Sequence, residues 1–341
     1  MLHLQWPSSR LFDPRRISDY TVEIVTSANR SPANRPTHKQ RQVGAPPKPA
    51  TISSPWTLQR SKGLKVLQLK PFKGFSWLIH GFSTRFGGAS SLGDEKVLNL
   101  AFTDWDEREN VVENRKRFQS AIAAKDFSHI PLKQIHSDAI SRVSTVPAEP
   151  PHADALTTDT VGLLLSVQTA DCVPILLVDP KKRAVAVIHA GWRGTLARIA
   201  LKSVGRMIQE YGSKPAHLIA AIGPSIGPCC YEVGVELVTQ FTAQFADGAE
   251  YFDEPRTGDE PNPIQWLNMK PPGHQPPPMN VRLDLRRANV SQLKSAGLHL
   301  ANIYVSDLCT ACNTELLFSY RKEGPVSGRL LAAVGMKAAQ K

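Results

Sequence analysis

Three short runs of Val, Leu, Ile and Ala, at 161–167, 173–178 and 184–189, follow one another with only turn or charged residues between them. Runs of this length and composition predict consecutive buried strands. Lys181-Lys182 marks a tight connection between the second and the third. After Gly194-Thr195 the period changes: Leu196, Ile199, Ala200, Val204, Met207, Ile208 and Tyr211 recur at helical spacing. The local order is therefore strand, glycine turn, helix. The same reading predicts helices near 107–123, 231–246 and 285–296, the last stopping at Gly297 as a C-cap.

Two stretches lack such a pattern. Eight prolines, at 255, 261, 263, 271, 272, 276, 277 and 278, fall between Asp247 and Met279, a density no regular element survives. Residues 247–279 are therefore expected to be a long surface insertion. Residues 1–65 carry Pro-rich patches such as Ala45-Pro46-Pro47-Lys48-Pro49 and no sustained apolar period. They cannot bury enough surface to offset their ordering entropy, so a basic, disordered extension is expected there. Residues 66–341 are then one large domain.

That division changes the meaning of the charge. A net charge of +11 suggests a nucleic acid or an anionic surface as partner. Residues 1–65, however, hold 11 Lys or Arg against 3 Asp or Glu, and the remainder holds 30 against 27. The basic character belongs to the extension, and no specific nucleic-acid partner is expected. The N-terminus lacks the apolar core of a secretory signal, no 18 apolar residues run together, and five cysteines argue against a disulfide framework. A cytoplasmic protein with no membrane partner is the expectation.

The apolar runs also end in metal-capable side chains. Cys172 leads into Val173–Val178, His189 closes Ala184–His189, and His136 closes Leu132-Lys133-Gln134-Ile135-His136. Two imidazoles and a thiolate suit zinc, and three protein ligands leave one position open, the stoichiometry of a catalytic site. Positions 136, 172 and 189 form no short chelating pair, so only the fold can assemble them. The alternative is an inert core cysteine with two hydrogen-bonded histidines.

Several longer segments carry a resemblance. They are His80-Gly81-Phe82-Ser83-Thr84-Arg85-Phe86-Gly87-Gly88, Lys133-Gln134-Ile135-His136, Ala153-Asp154-Ala155, Thr169-Ala170-Asp171-Cys172-Val173-Pro174, His189-Ala190-Gly191-Trp192-Arg193-Gly194-Thr195, Ile222 to Val233 with its Gly227-Pro228-Cys229-Cys230, and Ser319-Tyr320-Arg321-Lys322. In order, from about residue 75 onward, they resemble the signatures of the bacterial YfiH and YlmD proteins and the animal laccase-domain-containing protein. That family is described as zinc-dependent purine nucleoside phosphorylases, formerly labelled polyphenol oxidase laccases. The resemblance implies an α+β fold of mixed β-sheets packed with helices in a single YfiH-like catalytic domain. It also implies Zn2+ as cofactor and purine nucleosides with phosphate as substrates: adenosine, inosine, guanosine and 5′-methylthioadenosine, with adenosine deamination as a second activity. Ten histidines without one His-x-His pair fit a multicopper centre poorly.

Roles for the remaining residues follow from their chemistry. A helix starting after Gly191-Trp192-Arg193-Gly194-Thr195 would offer unpaired N–H groups to a phosphate, with Arg193 beside them; a plain turn with a structural Arg193 is the equal alternative. Arg85 and Arg321 are rival phosphate ligands, because a guanidinium fork suits a phosphate dianion. Asp171 is either an acid–base group or the carboxylate that orients a ligating histidine. His80 is a candidate to protonate the leaving purine, or a structural histidine. Cys229-Cys230 reads as a packing and turn feature. Cys309-Thr310-Ala311-Cys312 is a lone Cys-x-x-Cys to which a structural zinc would need two more ligands. Two other functions use the same residues differently: a metal-free cysteine hydrolase with Cys172 as nucleophile and His189 or His136 as its base, and a peptidoglycan editing factor.

Overall fold

The computed structural model of the protein describes residues 54–253 and 280–338. The extension expected at the N-terminus lies outside the described residues as far as position 53, and the Pro-rich stretch does so over 254–279. Both expected boundaries need correction. Trp56–Ser61 (β1) and Leu64–Leu69 (β2) already form an antiparallel hairpin, with Trp56, Leu64, Val66 and Leu67 buried. The polar sequence of β1 hid it, because an edge strand is held largely by its backbone ladder. At the other boundary, Tyr251 is buried and Phe252–Asp253 (β14) is a short strand.

Two mixed six-stranded sheets form the centre. The first contains, in spatial order, β1, β2, Leu78–Ser83 (β3), Leu330–Met336 (β17), Leu163–Thr169 (β9) and Ser128–Ile130 (β6). The second contains Ile303–Val305 (β16), Ile219–Ile222 (β12), Val173–Asp179 (β10), Ala184–Ala190 (β11), Ala155–Thr158 (β8) and Ile140–Arg142 (β7). The pairs β6/β9, β7/β8 and β12/β16 are parallel, and the other ladders of the two sheets are antiparallel. Phe86–Leu92 (β4) and Glu95–Val97 (β5) make a separate hairpin, and Glu232–Gly234 (β13), Asn280–Leu283 (β15) and β14 make a small third sheet.

The apolar runs are continuous because the sheets stack and both faces of each central strand are covered. Leu165 and Val167 of β9 and Ala332 and Val334 of β17 meet Leu176 and Val178 of β10 and Val185 and Val187 of β11 in one core between the sheets. The opposite residues of the second sheet, Val173, Ile175, Leu177, Ala186 and Ile188, pack on a helical layer. That layer includes Ile199–Tyr211 (α4) and Leu285–Ser295 (α6). On the outer face of the first sheet, Leu164, Leu331 and Ala333 pack against Phe118 of Arg108–Ala121 (α2). The order of layers is helix, sheet, sheet, helix. Lys70–Lys73 (α1), Trp192–Leu196 (α3), Glu236–Gln244 (α5) and Tyr320–Glu323 (α7) complete the helices among the described residues.

Two predicted helices are revised. Residues 232–234 belong to β13, so that helix starts only at Glu236. The helix predicted after Thr195 is two helices, α3 and α4, separated at Arg198 by a left-handed backbone (φ 64°). By contrast α6 runs as predicted: Asp284 accepts the N–H groups of Arg286 and Arg287 at its start, and Gly297 follows its end at φ 97°.

Candidate metal centre and its cavity

Strand register brings the candidate ligands to one edge of the stacked sheets. Val173 pairs with Ala190 and Pro174 with His189, so Cys172, one residue before β10, sits beside the end of β11. Gly191 makes room there. A Cβ on it would lie 3.1 Å from Cys172 Sγ and 3.2 Å from a ring carbon of His136. His136 arrives on the loop between β6 and β7, exposed and with a left-handed backbone (φ 55°). The ligand atoms of His136, Cys172 and His189 all lie within 4.8 Å of one another, and the two imidazoles meet edge to face with centroids 4.9 Å apart.

One carboxylate organises this group. Ile188 pairs with Ala155, which places Asp154 next to His189: the His189 N–H donates to the Asp154 carbonyl at 2.7 Å and His189 Nδ1 lies 2.8 Å from Asp154 Oδ1. The same carboxylate accepts the N–H groups of His136 (3.0 Å) and Ser137 (2.6 Å) and the Ser137 hydroxyl (2.9 Å). Burial would push the Asp154 carboxyl up, but the donors on His189 and Ser137 hold it at about 2. With Nδ1 committed to Asp154, Nε2 of His189 is left to face Cys172. Burial likewise opposes the Cys172 thiolate, yet the two imidazoles bring its pKa down to about 6, and the thiolate and Asp154 raise His189 to about 9. Each partner thus favours the charged form of the other.

The group lies in a cavity of about 550 Å3, within the range of small-molecule sites. Tyr231, Tyr320, Arg321 and Arg329 line it together with Gln134 and Asp171. Gln134 spends its amide on the backbone of Gln168, as donor at 2.8 Å and acceptor at 2.7 Å. Arg321 stacks over Tyr231 and donates to the Glu232 carbonyl at 2.7 Å. Arg329 is half-buried at the start of β17, donates to the carbonyls of Ser327 and Gly328, and stacks over Tyr320.

Several expected roles do not hold. Asp171 orients neither histidine; its carboxylate accepts the Thr310 hydroxyl and the Arg321 N–H, each at 2.6 Å, and Asp154 has the role assigned to it. Arg85 lies away from the cavity, bound to Glu323 at 2.7 Å and to the Thr314 carbonyl at 2.6 Å, with its plane over Phe318. Arg193 is exposed and stacks on Trp192 outside the cavity lining, and the five residues of α3 replace the long helix whose N-terminus was to hold phosphate. His80 is buried in β3, accepts the Leu69 N–H at 2.9 Å, and is kept neutral mainly by burial, with its pKa lowered to about 3. Sequence reasoning passed over Asp154 and Arg329. A carboxylate in Ala153-Asp154-Ala155 and an arginine leading the apolar run at 330–336 were the available signals.

Residues 79–337 match the family described as multi-copper polyphenol oxidoreductase laccase. The chain belongs to that family. Within it, the chain is 33% identical over 292 residues to "Purine nucleoside phosphorylase YlmD" of Geobacillus stearothermophilus, covering 82% of this chain and 96% of the relative. It is 36% identical over 263 residues to "Purine nucleoside phosphorylase" of Deinococcus radiodurans, covering 75% and 88%. A third relative, "Adenosine deaminase RL5" of an unknown prokaryotic organism, is 39% identical over 185 residues, covering 54% and 62%. The solved structure of the hypothetical protein YfiH of Bacillus licheniformis superposes with a TM-score of 0.71 at 28% identity, covering 84% of this chain and all of that one. Among the described residues no helix is long and apolar enough to cross a membrane.

Proposed function

We propose that the protein is a zinc-dependent purine nucleoside phosphorylase that also deaminates adenosine. The observation that carries this reading is the convergence of His136, Cys172 and His189 in a cavity whose wall includes two tyrosines and two arginines. The donor set fits zinc: two nitrogens and a sulfur already close together, with the second nitrogen of His189 bound to a carboxylate. Zinc held by these three residues would supply a Lewis acid with one position open to a reacting group.

The chain's own residues account for the rest. Tyr231 and Tyr320 offer ring faces to a purine. Arg321 and Arg329 offer guanidinium donors to a phosphate dianion beside the sugar. Asp171 accepts the Thr310 hydroxyl on one oxygen and the Arg321 N–H on the other, so it positions Arg321 through the backbone. Phosphate attacks the ribose C1′, the purine departs, and ribose 1-phosphate and free base result. Adenosine, inosine, guanosine and 5′-methylthioadenosine are the substrates proposed. Two relatives named purine nucleoside phosphorylase and one named adenosine deaminase support the pairing of the two activities.

The Cys172–His189 pair, with Asp154 behind His189, favours a second reading, a metal-free cysteine hydrolase. His136 argues against it, since a nucleophile with its base needs no second imidazole on the sulfur. Chromatography of products from a nucleoside panel, with and without phosphate, tests the main reading. Adenosine should give inosine without phosphate, and added phosphate should yield free base with ribose 1-phosphate. Absence of phosphate-dependent base release from every nucleoside would refute it.

A further inference from the structure

Four cysteines that the cavity does not use meet at one point. Cys229 and Cys230 lie in the turn after β12, and Cys309 and Cys312 in the turn after β16; their sulfurs are all within 4.8 Å of one another. Cys312 Sγ is 3.5 Å from Cys229 Sγ and 3.3 Å from Cys230 Sγ, and all four thiols are free. The pair that the lone Cys-x-x-Cys lacked in sequence is thus supplied by the fold.

The spacing is that of a single coordinated ion. With zinc–sulfur bonds of about 2.3 Å, the edge of a sulfur tetrahedron is about 3.8 Å. An iron–sulfur cluster would interpose several atoms and hold its thiolates further apart. Cys309 Sγ also accepts backbone N–H groups from Gly227, at 3.2 Å, and from Cys312, the arrangement that stabilises a thiolate rather than a thiol. Cys229, Cys230 and Cys312 crowd against it, and four sulfurs this close repel one another once ionised. A divalent cation removes that conflict, because every sulfur can then be ionised. Positive groups stand nearby, with Arg282 donating to the Cys229 carbonyl at 2.5 Å and Arg286 beside Gly227.

We propose that Cys229, Cys230, Cys309 and Cys312 form a second metal site, a structural tetrathiolate that binds one zinc ion. Four protein ligands leave no open position, so the site is a clasp and takes no part in turnover. It closes a loop of about 80 residues between the two turns, a closure whose entropy a bound ion offsets. The clasp also braces the cavity. Cys309 bridges Ser225, the Ile226 N–H donates to the Asp171 carbonyl at 2.9 Å, Thr310 donates to the Asp171 carboxylate, and Tyr231 follows Cys230 directly into the cavity wall.

Metal analysis of the full chain, purified without chelator, tests the proposal. Wild-type protein should carry about two zinc ions per chain, one open and one tetrathiolate. C309S/C312S should lose one and H136A/H189A the other. Reconstituted with cobalt(II), H136A/H189A should keep the intense sulfur-to-metal charge-transfer absorption of four thiolates. Metal-free H136A/H189A protein would overturn the clasp, whereas a wild-type chain that binds metal only through Cys229, Cys230, Cys309 and Cys312 would sink the catalytic zinc and leave the clasp standing. Should C309S/C312S fail to fold, alkylation of wild-type protein followed by mass spectrometry decides. Cys229, Cys230, Cys309 and Cys312 should be protected together and released together by chelator. Free alkylation of all four in zinc-loaded protein, or a disulfide between Cys312 and either neighbour in place of metal, would overturn the proposal.

Discussion

Asp154 grips His189 by two atoms at once: its carbonyl takes the His189 N–H at 2.7 Å and its carboxylate lies 2.8 Å from Nδ1 of the same residue. Because that carboxylate also holds the His136 and Ser137 N–H groups, Asp154→Ala should loosen two ligands together. Zinc affinity, measured by competition with a chromophoric chelator, is expected to fall about 10- to 100-fold. Stability should fall by about 1–3 kcal/mol as buried donors lose their acceptor. An Asp154→Ala protein with unchanged zinc affinity would show that the ligands are held by other contacts.

Cys172→Ala, His136→Ala and His189→Ala should each lower metal content and turnover in parallel, since each removes one of three donors. Mass spectrometry of metals beside a base-release assay reads both. Cys172→Ala protein that kept its full zinc and lost turnover would instead favour the nucleophile.

The arginines should separate by location. Arg321→Ala and Arg329→Ala, on the cavity wall, are expected to reduce kcat/KM for phosphate by about 10- to 100-fold, the worth of a hydrogen bond to a charged group, while sparing deamination. Arg85→Ala should leave phosphate dependence alone and lower Tm, because it removes the cation from the largely buried Glu323, which keeps only the Ser319 N–H and the Ser327 hydroxyl. Arg193→Ala should change neither. Equal loss of both activities in the Arg321 and Arg329 variants would mean that they hold the nucleoside or the fold.

His80 gives an acid limb to stability. Its folded pKa of about 3 lies below the ordinary 6.5, so the unfolded chain binds the extra proton first. Stability should be full above pH 6.5 and decline toward pH 3, by at most about 1.4 kcal/mol per pH unit from this group. Denaturant melts of wild-type protein and His80→Gln across that range check it; parallel curves would assign the limb to other groups.

What the sequence made legible depended on local pattern. Strands such as 173–178 and 184–189 announce themselves because both faces are buried, and the side chains that end them reach the edge where the sheets leave space. Roles decided by distant partners were not legible. Arg85 and His80 look available until Glu323 and Leu69 take them, and Asp171 adjoins Cys172 in the chain yet serves Thr310 and Arg321. The polar β1 gave no apolar signal, and the break at Arg198 is a backbone event within an unbroken helical period.

The three candidate ligands do not belong to one sheet. His136 hangs from a loop that leaves the first sheet and enters the second, Cys172 lies where the chain crosses between them, and His189 rides on the second. The tripod therefore works as a gauge of alignment for the sandwich: a slide of one sheet over the other pulls on the chain segments that carry His136 and Cys172, while the ladder beside Cys172 and the Asp154 grip hold them to His189. Repacking substitutions in the shared core, at Leu165 or Val187 for instance, need not unfold anything to put the tripod out of tune. Drift in activity among such variants would then track metal affinity before it tracks melting temperature.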